Sequence, residues 1–139
     1  MQRLFTVEEA NATLPLVRRI VQDLVMHFAR WKEIVREYEL AASEMQTPEE
    51  AAKLTTLERR VQAAAAEIDG FGRELADLGI VVKDRSIGLI DFPAVLAGRM
   101  VWLCWRLDEP VVGYWHEWDE GFTGRQRLDP SWAQDESRT

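Results

Sequence analysis

The sequence predicts a small α+β domain in which a long antiparallel helical hairpin precedes a small antiparallel β-meander. Two unbroken heptad stripes occupy the first half of the chain, and only a few residues separate them. After Gly79 the pattern changes to short β-branched and aromatic runs divided by turn residues.

The first helix is announced by Thr6-Val7-Glu8-Glu9, which has the form of a capping box: the Thr hydroxyl takes an orphan amide and Glu9 reaches back to the cap. A short first turn follows. Pro15 then suits a first helical position, where its missing N–H costs nothing, and a helix is expected from there to Met45. Val17, Val21, Leu24, Phe28, Trp31, Val35, Tyr38, Ala42 and Met45 alternate steps of four and three along it, a heptad seam. Such a helix is roughly 45 Å long, so it must project from a domain of this size, pair with another copy, or both.

Thr47-Pro48-Glu49-Glu50 repeats the capping logic, with Pro48 at the first helical position and Glu50 placed to close the box. The second seam is Leu54, Leu57, Val61, Ala64, Ile68, Phe71, Leu75 and Leu78, and Gly79 is its stop. The short link folds the helices back antiparallel, which brings Phe28 and Trp31 to the level of the small residues 63–66.

Strands are expected at 80–83, 87–92, 99–107 and 111–117, with 84–86, 93–98 and 108–109 as connections. If Asp108-Glu109 is a two-residue hairpin loop, facing positions in the last two strands sum to 217. One face then carries Val101, Leu103 and Trp105 beside Val112, Tyr114 and His116. The other carries Met100, Trp102, Cys104 and Arg106 beside Val111, Gly113, Trp115 and Glu117. Both are largely apolar, so each needs a cover. The hairpin supplies one. The second is the segment around Phe122 and Trp132, or another subunit, and a two-fold homodimer is the favoured expectation. Residues 1–128 form one domain, with the hairpin over about 14–78 and the meander over about 80–118; polar residues 129–139 read as a tail.

At 139 residues, 47% hydrophobic and 29% charged, the chain suits a single globular core without a membrane span. Its start lacks the regions of a signal peptide and its lone Cys104 can form no internal disulfide, so a cytoplasmic location is expected. A net charge of −7 repels phosphate backbones and argues against nucleic acid as a partner.

The densest polar stretch is Trp115-His116-Glu117-Trp118-Asp119-Glu120-Gly121-Phe122, followed by Gly124 and Arg125. An imidazole among carboxylates can bind a divalent metal or act as a tuned base, which makes His116, Glu117 and Glu120 a candidate ligand set. The structural alternative places His116 at a strand end, with Glu117, Asp119 and Glu120 solvated or paired with Arg99, Arg106 or Arg125. Asp91 lies in an apolar run and needs a partner if buried, for which an arginine is the first choice. In the register above Cys104 falls on the face away from His116, which argues against a Cys–His nucleophile pair and makes Cys104 a small core residue. His27, beside Phe28, reads as a flank residue. Trp102, Trp105, Trp115 and Trp118 read as sheet packing.

Phe5-Thr6-Val7-Glu8-Glu9-Ala10-Asn11 with Leu14-Pro15, Gly88-Leu89-Ile90-Asp91-Phe92-Pro93, and Leu103-Cys104-Trp105-Arg106 with Glu109 occur together with Trp115-His116-Glu117, Gly121-Phe122 and Arg125. In this combination the chain resembles a prokaryotic family catalogued as domain of unknown function 2203, over nearly its whole length. The resemblance implies no activity, substrate or cofactor. It singles out Asp91, Arg106, Glu109, His116, Glu117 and Arg125 as candidate ligand-binding residues. Two functions follow from the residues: a self-associating, noncatalytic interaction or scaffold protein with a protein partner, or a small-ligand or divalent-metal enzyme around His116, Glu117 and Arg125.

Overall fold

The structure is a computed structural model that describes residues 3–129. The expected tail and its Trp132 anchor lie outside the described residues, apart from Asp129.

Helix α1 spans Val7–Glu44 and begins with the capping box: Glu9 N–H donates to Thr6 Oγ1, and Thr6 N–H donates to Glu9 Oε1. It does not restart at Pro15. Proline there removes the one helical N–H that would reach the Asn11 carbonyl, but Leu14 and Val17 on either side are buried in the core and hold the helix through the gap. Val17, Val21 and Leu24 are buried as the seam requires. Further along, the buried residue is Ile34 instead of Val35, and Ala42 and Met45 are exposed. Phe28, Trp31, Val35 and Tyr38 stay half-buried, and the exposed seam positions are those at the outer end, beyond the sheet, where the helices have only each other.

Helix α2 spans Pro48–Asp77, capped by Thr47, whose hydroxyl accepts from Glu50 N–H. The Glu50 carboxylate reaches one residue beyond the cap and accepts from Gln46 N–H at 2.6 Å. All eight seam residues of α2 are buried or half-buried. Gly79, at φ 86°, closes the helix in a Schellman motif, with Ile80 N–H on the Leu75 carbonyl and Gly79 N–H on that of Ala76. Contacts from His27 to Glu67 and from Glu37 to Arg60 tie the helices antiparallel and bracket the level shared by Trp31 and residues 63–66.

Five strands follow: β1 Val81–Asp84, β2 Leu89–Leu96, β3 Arg99–Arg106, β4 Tyr114–Glu117 and β5 Gln126–Arg127. They form an antiparallel meander in sequence order. β2 runs through Pro93, which the sequence places in a connection. By Pro93 the pairing with β1 has ended, and Phe5 N–H donates to the Pro93 carbonyl at 2.7 Å, so the missing proline N–H faces an open flank. The β2–β3 turn is reduced to Ala97 and Gly98, both at positive φ, the type I′ geometry that suits a twisted hairpin.

The β3–β4 register corrects the sequence reading. Residues 107–113 form the connection instead of a two-residue loop, and facing positions sum to 218: Val101 meets Glu117, Trp102 meets His116, and Cys104 meets Tyr114. Glu109 bends its N–H back onto the Arg106 carbonyl, and Pro110 has no N–H to offer a ladder. One residue of register turns every β4 side chain over. The face under the helices carries Ile90, Phe92, Ala94, Val101, Leu103, Trp105 and Trp115, which join Leu14, Val17, Val21, Leu24, Ile68 and Leu75 in one core. The opposite face carries Asp91, Pro93, Trp102, Cys104, Tyr114 and His116. Residues 118–125, including the 3₁₀ turn Phe122–Gly124, fold back onto it. Trp118 stacks on Trp102 at 4.1 Å, and Arg125 lies over the Tyr114 ring at 4.0 Å. Among the described residues, no helix is long and apolar enough to cross a membrane.

Two glycines, both at positive φ, separate strain from crowding. At Gly88, φ 70°, an added Cβ would meet Val21 at 2.8 Å and Leu107 at 2.9 Å; at Gly98, φ 79°, it would meet nothing within 4 Å. Denaturant titration is expected to show Gly98→Ala losing about 1–2 kcal/mol from the left-handed backbone alone. Gly88→Ala adds the cost of overpacking, for a total of about 2–5 kcal/mol.

Candidate functional site

The corrected register gathers three polar side chains on the face away from the helices. Asp91 on β2 and Cys104 on β3 are direct cross-strand partners, and His116 reaches over β3 from β4. His116 Nε2 stands 2.9 Å from Asp91 Oδ2, and all three residues are at most 1% exposed. The partner of Asp91 is thus this histidine, not the arginine expected from sequence. Cys104, expected on the face away from His116, belongs to the same cluster: the ligand atoms of Asp91, Cys104 and His116 lie within 4.8 Å of one another.

The protonation of the pair follows from its other bond. His116 Nδ1 is 2.9 Å from the Glu117 carbonyl oxygen, which can only accept, so Nδ1 carries a proton. Nε2 of a neutral ring would then aim its lone pair at the Asp91 carboxylate. A cation must lie between them: a proton on either partner, or a metal. Burial raises the Asp91 carboxyl above its ordinary range, while the facing imidazole acts in the opposite direction. The second oxygen of Asp91, Oδ1, is buried and has no hydrogen-bond partner among the described residues.

A second pair adjoins the first through Cys104. The Arg125 guanidinium donates from Nε to Cys104 Sγ at 3.2 Å, from Nη1 to Glu109 Oε2 at 2.8 Å, and from Nη2 to Glu109 Oε1. Desolvation works against the Arg125 charge, but the bonds to Glu109 and Cys104 outweigh it, and its pKa lies above the ordinary guanidinium value. Glu109 Oε1 also accepts from Arg106 N–H at 2.7 Å, and the Glu109 carbonyl accepts from Trp105 Nε1 at 3.0 Å and from Arg18. Asn11 grips the same loop with its side-chain amide: Oδ1 takes Val112 N–H at 2.8 Å, and Nδ2 donates to the Val112 carbonyl.

Of the six candidate residues, the structure therefore joins Asp91 with His116 and Glu109 with Arg125. The other two turn elsewhere. The Arg106 side chain pairs with Asp108 at 2.6 Å in solvent, and Glu117 pairs with Arg99 at 3.0 Å on the opposite side of β4 from His116. Glu120 is exposed and packs against Gly124. His116, Glu117 and Glu120 thus do not converge as a ligand set; Asp91 and Cys104 stand where Glu117 and Glu120 were expected. Sequence reasoning missed Cys104 because its side of the sheet depended on the β3–β4 register. Pro110, which cannot extend a ladder, was the available signal.

The chemistry open to the cluster is limited by its surroundings. Desolvation pushes the Cys104 thiol up to about 11, so it is protonated at neutral pH and poorly nucleophilic. Nε2 of His116 faces Asp91 instead of aiming at the thiol as a base. The arrangement suits holding a proton or a cation and tying β2, β3 and β4 together.

A thiol raised in the folded state ionises first in the unfolded one, so its contribution to stability is intact below the ordinary value of 9.0 and is lost as pH rises toward about 11. Urea midpoints measured across that window are expected to fall, and Cys104→Ala should flatten the fall. The two arginines should differ sharply. Arg125→Ala leaves buried Glu109 without its partner and is expected to cost about 3–5 kcal/mol. Arg106→Ala removes only a surface pair and should leave the midpoint near that of the parent chain.

These residues also lie within the span of a recognised protein family. No curated protein and no solved structure matches the chain. The model of a family described as an uncharacterized conserved protein, DUF2203, matches residues 3–128, from the approach to the first cap through the last strand. The chain belongs to the DUF2203 family.

Proposed function

We propose that the protein is a noncatalytic interaction protein that self-associates through the outer part of its helical hairpin. One observation carries this reading: between Ile34 on α1 and Ile68 on α2 no side chain is buried, although the seam continues through the whole stretch. The half-covered residues there include Val35, Tyr38, Leu54, Leu57 and Val61. Two helices alone cannot enclose such a seam. A second hairpin laid against it completes a four-helix arrangement of the kind that closes with two-fold symmetry. The occupant is therefore a second copy of this chain, which carries the same stripe. The noncatalytic part of the reading is supported by the polar groups of the sheet, which are spent on one another: Asp91 on His116, Glu109 on Arg125, Glu117 on Arg99.

Light scattering of the full chain at micromolar concentration tests this. The expected mass is twice that of the 16.0 kDa chain. Val35→Glu should shift it to the monomer while the near-ultraviolet dichroism of the sheet tryptophans is kept. A monodisperse monomer from the parent chain would sink the proposal.

A further inference from the structure

We infer that Asp91, Cys104 and His116 form a structural binding site for one divalent transition-metal ion of the zinc class. The inference stands apart from self-association and rests on three observations.

The first is the ligand geometry. Imidazole, carboxylate and thiolate come from three adjacent strands, with their ligating atoms within 4.8 Å of one another and the imidazole nitrogen 2.9 Å from the carboxylate oxygen. A point within about 2.5 Å of all three exists in any such triangle, and zinc distances of roughly 2.0–2.3 Å require only a small contraction. The second is the tautomer. With Nδ1–H given to the Glu117 carbonyl, the lone pair of a neutral imidazole is on Nε2, the atom that stands 2.9 Å from Asp91 Oδ2. A backbone carbonyl on the far nitrogen is the usual means of orienting a metal-bound histidine.

The third observation is Asp91 Oδ1, a fully buried carboxylate oxygen without a hydrogen-bond partner among the described residues. Such an atom is costly unless the adjoining Cys104 thiol or a bound cation satisfies it. A metal bound by the carboxylate does so. Charge is consistent with these: once metal binding has displaced the thiol proton, the buried groups Asp91, Cys104 and Glu109 carry three negative charges against the one positive charge of Arg125, and a divalent ion makes the sum zero. Arg125 Nε–H on Cys104 Sγ then helps to stabilise the thiolate. The thiol proton leaves on metal binding, so affinity rises with pH. Three protein ligands leave one tetrahedral position for water, and borderline-soft nitrogen, sulfur and oxygen donors select zinc or cobalt over magnesium or calcium.

The test needs no refolding. The full chain is produced in minimal medium supplemented with zinc or, separately, with cobalt, and its metal content and absorption spectrum are measured. About one ion per chain is expected from each medium, and the cobalt form should show a near-ultraviolet thiolate-to-metal charge-transfer band. Cys104→Ser should abolish that band, whereas Glu120→Gln should leave band and stoichiometry unchanged. Less than half an ion per chain from both media, in protein with native dichroism, overturns the site. So does a full complement of cobalt without the thiolate band, or a band that survives Cys104→Ser. Should Cys104→Ser not fold, the metal content and band of the parent chain decide by themselves.

Discussion

The architecture of the sheet depends on how Glu109 is held. Its carboxylate takes the Arg106 backbone N–H and two bonds from Arg125, and its carbonyl takes the Trp105 indole N–H and Arg18. These bonds turn residues 107–113 into a rigid connection of fixed length. Asn11, in the first turns of α1, pins its far end at Val112. The consequence lies on β4: the length of this connection decides which face receives His116. Without Arg125, Glu109 would be a buried charge without its ion-pair partner, and an unpaired buried charge costs far more than the pair gains.

A buried ion pair seldom adds much stability over an apolar core of the same shape. The Asp91–His116 pair has a clearer effect on which structure forms. A slip of one residue in β4 would place the imidazole on the helix face, among Phe92, Leu103 and Trp105, and leave Asp91 without its partner. Both groups would then pay desolvation without a hydrogen bond. The polar cluster thus penalises the alternative register, while the apolar residues on both faces of β3 would tolerate either. Its three side chains come from three strands, so a proton or an ion among them also links β2 to β4 across β3.

The hairpin has two physically different halves. Near the sheet, Leu14, Val17, Val21 and Leu24 from α1 and Ile68 and Leu75 from α2 enter a core closed below by β2, β3 and β4. Farther out the helices have only each other, joined by a half-covered seam and surface contacts such as Glu37 to Arg60 at 3.6 Å. Local opening requires least free energy where buried apolar contacts are fewest, so the outer half is the part of the hairpin expected to open first. Trp31 stands at the boundary, stacked on Phe28, with its indole N–H buried and without a hydrogen-bond partner among the described residues.

Much of the fold was legible because its signals are local or periodic. Thr6 with Glu9, Thr47 with Pro48, and Gly79 mark helix ends through bonds made within one turn, and the α2 stripe is a property of helical geometry. The lack of polar alternation likewise marked two covered faces on β3. Other features needed atoms distant in the chain. Pro15 sits inside a helix because buried neighbours on both sides outweigh its local preference, and Pro93 sits inside a strand because Phe5, far away in sequence, runs past its open flank. The site divides in the same way. Asp91, His116, Glu109 and Arg125 could be named as candidates from residue type and context, but their pairing could not be read. It follows from a connection whose length is set by Asn11, Arg18 and Arg125, and that length decided whether Cys104 stood with His116 or on the other side of the sheet. Local chemistry determined the helices and their caps. Only tertiary structure decided the register, because a β-strand's side-chain period of two makes one residue of loop length the difference between opposite faces.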